Sequence, residues 1–443
     1  MMKRLLFFLC TSVALLTGCS DDDSFSSDSG YRLSFSTDTV RIDTLFSNMA
    51  STTSSFWVHN RTGKGLHITT VRLERGNQSG FRVNADGVFL NPTAVGLEVR
   101  SGDSLRVFVE VTTRENSTND PTLVEDNLLF TLESGVEQRV NLRTYSWNAD
   151  KVSDLVIARD TTIQSVKPVV FYGNGITVSK GATLTLKNTT LFFHDEAGID
   201  VDGRLVAEGC TFRGDRLDHM FDYLPYDRIS GQWRGIEIHV KSNGCQLTNC
   251  EVRNAYDGVC ADSTTVTLTN TVIHNCRGNG LYAHDCRVRV DGCQLTNTLG
   301  DCLWLKGGVA EINQSTLAQF YPFSGDRAYA LHFMDTEELR LTLSCTNTLV
   351  TGYAEDVVMG ENLENEETFY LFENCLLRTP EVEDKELFGN VIWETSKDEV
   401  QGKDHFVLID EENLAYDFTI KAESPAYEKK IGRAFAQPAA TEQ

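Results

Sequence analysis

Three series of side chains recur through the second half of this sequence at nearly one interval. Glu237, Cys260, Tyr282, Trp304 and His332 form the first. His239, Asp262, His284 and Lys306 form the second, two residues further on, and Arg234, Asp257, Asn279 and Asp301 precede both. If each step is one turn of a stack of strands, every series becomes a column with a side chain about every 4.8 Å. Residues two apart on a strand then share its outer face. A merely solvated face would favour Thr, Ser, Lys and Glu; this one sets Tyr and Trp beside His, Asp and Lys. Aromatic rings lie against the apolar faces of sugars while flanking polar groups take hydroxyls or a uronate carboxylate, so the pattern points to a sugar-binding groove. Its candidate residues are Glu237, Tyr282, Trp304, His239, Asp262, His284, Lys306, Asp257 and Asp301, with Trp304 and Tyr282 expected to dominate. The competing reading is that the polar and aromatic insertion between Asp215 and Gln232, with Phe221, Tyr223 and Tyr226, packs over these residues.

Reaction chemistry is harder to assign. Calcium-assisted proton abstraction next to a carboxylate needs clustered acids and a base. Asp257, Asp262, Asp301 and Lys306 are of the right types but dispersed. Hydrolysis by paired carboxylates would need motifs of Asn-Thr-Asp, Asp-Asp and Gly-His-Gly kind, and none is present in the repeats. His239, Asp262 and His284 could bracket a metal across three turns, but exposed histidines are far commoner, and no metal or other cofactor is expected. Cys260 has no base beyond that cluster. Asn254, Asn275 and Asn297 recur at one corner and read as a ladder serving the turn backbone. The catalytic residues, if any, are unknown.

The elements that would position these columns come from a repeat of 21 to 22 residues between about Ile176 and Asn374. Its units include Leu186-Lys187-Asn188-Thr189, Leu247-Thr248-Asn249-Cys250, Leu268-Thr269-Asn270-Thr271 and Val290-Asp291-Gly292-Cys293. Two apolar beats per period, each bounded by Gly, Asn or Asp, describe stacked short strands and turns. Ile236, Val259, Leu281, Leu303 and Leu331 are expected to point inward. Cys210, Cys250, Cys293 and Cys375 share a repeat position with Thr and Ser, which marks a small, buried, mildly polar column rather than a disulfide framework. The last strand and its terminating turn are expected at Asp417–Ile420 and Ser424-Pro425-Ala426. Residues 31–147 differ: alternating segments such as Ser104–Val111, separated by turn clusters, suggest about seven strands of an immunoglobulin-like β-sandwich without an intersheet disulfide. The fold class is all-β, a sandwich at 31–147 followed by a solenoid at 154–435.

The ends and the charge narrow the setting. Lys3 and Arg4, an apolar run from Leu5 to Leu16, and Leu16-Thr17-Gly18-Cys19 make an export signal at 1–18 with a lipid-acceptor Cys19. The apolar run is too short to span a bilayer, so the expectation is a lipid anchor rather than a span. Residues 19–30, acidic and then Ser-rich, read as a tether. The net charge of −23 becomes −25 once residues 1–18 are gone, and no basic footprint for nucleic acid remains.

With the lipobox, the segments Arg41–Phe46, Ser79–Gly87, Gly102–Leu105, Lys167–Gly173 and Gly231–Ile236 carry a resemblance. Over nearly the whole mature chain the sequence resembles the right-handed parallel β-helix lipoproteins of Bacteroidetes, with a pectin-lyase-like fold. The resemblance implies attachment to the outer membrane through Cys19, on its outer face. Three functions follow as expectations: non-catalytic binding of a polysaccharide or adhesion, a lyase or glycoside hydrolase, and an envelope-assembly component.

Overall fold

The computed structural model describes residues 24–221, 223–336, 339–364 and 368–436. The signal, Cys19 and the first part of the tether lie outside them. The chain forms two compact units that divide after Asn148. Among the described residues no helix is long and apolar enough to cross a membrane.

The first unit is a sandwich of two five-stranded sheets. One runs Ser34–Phe35, Ser54–His59, Ser104–Val111, Phe81–Ala85 and Val88–Phe89; the other runs Thr39–Phe46, Glu137–Trp147, Thr122–Leu132, Leu66–Leu73 and Thr93–Val99. Strict alternation builds the core: Leu105, Val107, Val109 and Val111 are buried while Arg106 and Phe108 face out. Among the described residues there are ten strands against the expected seven or so, and two of the additional ones are only two residues long, below the length at which a period of two can be read. The tether also ends earlier than residue 30. Phe25 stacks on His67 with ring centres 4.1 Å apart, and the Ser26 N–H donates to the Gly65 carbonyl at 3.0 Å. A side chain at Gly65 would meet the Phe25 ring at 2.7 Å, so the absent Cβ makes room for that contact.

The second unit is the solenoid. Twenty-six strands form one ladder, with parallel pairing between successive rungs, wound into three faces. The first face contains Gly198–Val201, Ile236–Ile238, Val259–Asp262, the start of Leu281–Asp291, the start of Leu303–Asn313, Leu331–Met334 and Val358–Glu361. Ile236, Val259, Leu281, Leu303 and Leu331 stack inward in register, each fully buried. The recurring Asn or Gly has a backbone reason. Asn188, Gly209, Asn249, Asn270, Gly292, Gln314, Asn347 and Asn374 all have φ between 44° and 65°, at the corner between the second and third faces. Gly and Asn enter that left-handed region most readily.

The next residue turns inward and explains the Cys, Thr and Ser interchange. In seven of these eight units its hydroxyl or thiol donates to the carbonyl two residues earlier, whereas Thr189 donates to the Ser165 carbonyl at 3.0 Å. The distances are 3.3 Å for Cys210 to Glu208, 3.3 Å for Cys250 to Thr248, 3.1 Å for Thr271 to Thr269 and 3.4 Å for Cys293 to Asp291. Ser315 and Thr348 repeat it at 2.7 and 2.8 Å, and Cys375 at 3.5 Å. The column selects a small side chain with one donor, and sulfur and oxygen both serve. All ten cysteines from Cys210 to Cys375 are free thiols.

The far end corrects one expectation. Ala415–Ile420 is a strand, but it pairs antiparallel with Phe406–Asp410 and is not a rung. Ser424 does not close a turn; it caps the helix Pro425–Lys429, its Oγ accepting the Ala426 N–H at 3.2 Å. This hairpin and helix lie against the outside of the third face, packing Phe406, Phe418, Ile420 and Ile431 on Ala318, Phe320, Leu349 and Leu376. Both sides of Thr316–Gln319 are therefore buried, which hides the rung alternation in the sequence. A buried polar knot ties the segment down. Glu394 pairs with Arg378 and accepts from Thr351 Oγ1 at 2.8 Å; it also meets His405 Nε2 at 3.1 Å, while His405 Nδ1 meets Ser424 Oγ at 2.8 Å. The Ser–His–Glu chain has the connectivity of a hydrolytic triad, but the Ser424 hydroxyl is buried and spent as a helix cap, so the knot is structural.

Two outcomes follow. Thr271→Val keeps the shape of the side chain and removes its donor, so it should cost about 1 kcal/mol in urea unfolding, whereas Thr271→Ser should stay close to wild type. Burial works against ionisation of Glu394, but the His405 contact and the other hydrogen bonds outweigh it and hold the carboxyl below its ordinary 4.5. A depressed folded pKa stabilises above the unfolded value and is lost as pH falls through the folded one. The melting temperature should therefore drop as pH is taken below 4.5. Glu394→Gln, which strands the Arg378 charge, should cost roughly 3–5 kcal/mol at neutral pH and blunt that acid sensitivity.

Candidate functional site

The outer side of the first face carries the columns read from sequence. Glu237 pairs with Cys260, Cys260 with Tyr282, Tyr282 with Trp304 and Trp304 with His332, with Asp200 added below and Met359 above. The second column runs Asp262, His284, Lys306, Met334 and Glu361. His239 is not in it. The strand Ile236–Ile238 ends before His239, whose Nε2 lies 3.5 Å from Asp200 instead. The metal bracket of His239, Asp262 and His284 is therefore not assembled. His284 Nδ1 meets Asp262 at 3.1 Å, on the neighbouring rung.

Among the described residues the one acid–histidine group close enough to hold a metal is Asp200, Glu237 and His239. Arg234 already fills that position: its two Nη atoms lie 2.7 and 2.6 Å from the two Asp200 oxygens, with Glu237 at 3.3 Å. A guanidinium locked by a bidentate carboxylate neutralises the charge a cation would need. The turn before it depends on Gly235, at φ 117°, where a Cβ would fall 1.8 Å from the Asp257 carbonyl.

The turn residues Asp257, Asn279 and Asp301 form a ladder of their own. Asp257 accepts the Asn279 N–H at 2.6 Å, Asn279 accepts the Asp301 N–H at 2.9 Å, and Asp301 accepts the Tyr329 N–H at 2.8 Å. Burial raises the Asp257 carboxyl above its ordinary value. One oxygen of each acid thus serves the backbone. The other Asp301 oxygen meets His332 Nδ1 at 2.9 Å, and Glu361 stands 3.7 Å from His332 Nε2.

The aromatic column is stacked on itself. Trp304 lies parallel to His332, 7° between planes and 5.1 Å between centres, and Tyr282 meets it edge-on at 61° and 4.9 Å. Trp304 consequently has one face covered, and its Nε1 is buried with no hydrogen-bond partner among the described residues. Tyr282 has only the small Cys260 as its rung neighbour on the other side. Of the two rings, Tyr282 is therefore the less covered by its rung neighbours, with Trp304 as its support. Burial, then the charges of Asp257, Glu237 and Asp262, pushes the Cys260 thiol up to about 12, which removes it as a nucleophile at neutral pH.

The insertion between Asp215 and Gln232 takes a different course from the packing considered from sequence. Its bonds run to the corner before the first face: Asn254 Nδ2 donates to the carbonyls of Asp227 and Ile229 at 2.9 and 3.0 Å, and Asp227 pairs with Arg213 and Arg253. Ser230 meets Tyr321 of the second insertion at 2.7 Å. Asn254 and Asn297 hold loop backbone, the latter accepting the Phe320 N–H at 3.2 Å. Both insertions, and the turn at 353–357, leave at this corner. Sequence reasoning missed Asp200, Tyr329 and Glu361; the column through Met334 to Glu361 was reachable by carrying the period past the second insertion.

Residues 147–317 match the family model described as a right handed beta helix region. The repeats are those of a right-handed β-helix. No curated protein matches the sequence. Among solved structures, similarity extends over about a quarter of the chain. A family 123 glycoside hydrolase from Clostridium perfringens matches at 7% identity and TM-score 0.19, over 27% of this chain and 25% of that one. The periplasmic chaperone SfaE matches at 9% and 0.19, over 26% and 58%. The PapD-like domain 7 of human CEP192 matches at 11% and 0.18, over 27% and 88%. The chain thus spans a quarter of the hydrolase and little over half of the chaperone, and TM-scores this low carry no argument.

Proposed function

We propose that this protein is a lipid-anchored β-helix protein of the outer membrane, facing the cell exterior, that binds polysaccharide along its first face without transforming it. The observation that carries the reading is the in-register column of Tyr282, Trp304 and His332 beside His284, Lys306 and Glu361. The columns run along the helix axis, a direction suited to an extended chain of repeating units. The acids that a lyase or hydrolase would use are engaged elsewhere: Asp200 by Arg234, Asp262 by His284, Asp301 by His332. Lipid attachment rests on Leu16-Thr17-Gly18-Cys19.

The experiment is a glycan array on the mature protein, followed by titration with the best glycan and an assay for unsaturated and reducing-end products. Tyr282→Ala should weaken binding by about 1–3 kcal/mol, the range for truncating an aromatic hot spot, and Trp304→Ala by a similar or smaller amount through loss of support. Thermal unfolding of both should stay near wild type. Product formation would replace binding with catalysis, and unchanged affinity in folded Tyr282→Ala would remove the groove. In cells given a labelled fatty acid, wild type should take up label and Cys19→Ala should not.

A further inference from the structure

A second surface, in the sandwich unit, has features the β-helix groove does not explain. The outer side of the Ser54–His59, Ser104–Val111, Phe81–Ala85 sheet exposes three large rings: Trp57 at 43%, Phe108 at 36% and Phe89 at 55%. Trp57 stands opposite Arg106, and Phe108 and Phe89 both stand opposite Asn84, so they share one flat face. Phe108 and Phe89 are two strand spacings apart, roughly 10 Å. Alternation in a half-buried strand should place polar residues at these positions, so three rings there are an anomaly of sequence as well as of structure.

Arg106 lies among them. Its guanidinium sits over the Trp57 ring at 5.4 Å and over the Phe108 ring at 5.0 Å. Its Nε and one Nη2 hydrogen are spent on the Ser55 hydroxyl, at 3.2 and 3.0 Å. Of five guanidinium N–H groups, three remain, two on Nη1 and one on Nη2. That pair of nitrogens is the fork that grips a carboxylate with two parallel bonds. The nearby acid Glu110 is taken by Arg82 at 3.2 Å, and no ion pair to Arg106 occurs among the described residues. In a chain of net charge −23, an exposed arginine held in place by two rings, its fork open, is complementary to a single anion. The same net charge works against a polyanion.

From this geometry we infer that the sandwich face binds a sparsely charged glycan, with one acidic sugar gripped by Arg106 and neighbouring sugars lying on Trp57 and Phe108. The site is independent of the groove on the β-helix. Aromatic faces and a fixed fork supply area and direction with little rotor freedom left to lose.

The test is titration of the mature protein with 3′-sialyllactose and with lactose, which lacks the acidic sugar. Wild type should bind 3′-sialyllactose roughly tenfold more tightly than lactose, since a bidentate charged pair is worth at least that. Arg106→Gln should abolish the difference. Trp57→Ala and Phe108→Ala should each weaken both ligands, and affinity for the acidic ligand should fall as salt is raised. Tyr282→Ala should leave all of this unchanged, which separates failure here from failure of the groove reading. The side chains replaced are exposed, and thermal unfolding confirms that the variants fold. Equal binding of the two sugars, absence of binding, loss on Tyr282→Ala alone, or tighter binding of a glutamate-rich peptide would each overturn the inference.

Discussion

The structure of the second unit depends on one corner. At the turns between the second and third faces from Gly209 to Asn374 a residue takes positive φ, and the next side chain points in and returns a hydrogen bond to its own strand. The first requirement admits Asn or Gly with least strain; the second admits Thr, Ser or Cys. Together they keep the chain turning at the same place on every rung. Once that is fixed, the parallel ladder sets the register of everything between corners, and each outward residue lies on its counterpart one rung away.

That regularity makes the candidate groove and also limits it. Because rings at one repeat position must fall on each other, Tyr282, Trp304 and His332 become a stack, and part of their surface is used within it. Charges obey the same geometry: Asp262 sits beside His284, Asp257 caps the turn of Asn279, and Asp301 that of Tyr329. Such a face offers a continuous strip of aromatic edges and neutralised pairs. The binding proposed above would use that strip, since bond cleavage requires isolated reactive carboxylates.

Much of this was legible in the sequence because a solenoid writes its contacts locally. The period gave the faces, the inward column of Ile236 through Leu331, the small polar column and the order Glu237 to His332. What escaped was set by contacts that no period encodes. His239 falls off its column because the strand stops at Ile238 and Arg234 draws Asp200 into its reach. Asp417–Ile420 reads like the last strand of the stack because of its rung-like alternation, yet its burial comes from lying on the third face. Phe25 reads as part of a tether until His67 and Gly65 supply its surface. The sandwich strands were undercounted where two-residue edges carry no pattern.

If the corner fixes the rung, the whole rung is the repeating unit and its ladder partners are the rungs on either side. The most direct measurement compares two insertions by thermal unfolding and circular dichroism. Duplicating residues 259–280 adds one complete rung and restores every corner, and the account predicts a folded protein with Tm close to wild type. Inserting a single alanine after Val266 turns the rest of the strand Thr265–Thr269 over, placing Leu268 outward and Thr267 and Thr269 inward, and should lower Tm sharply. Equal destabilisation by the two insertions would contradict the account.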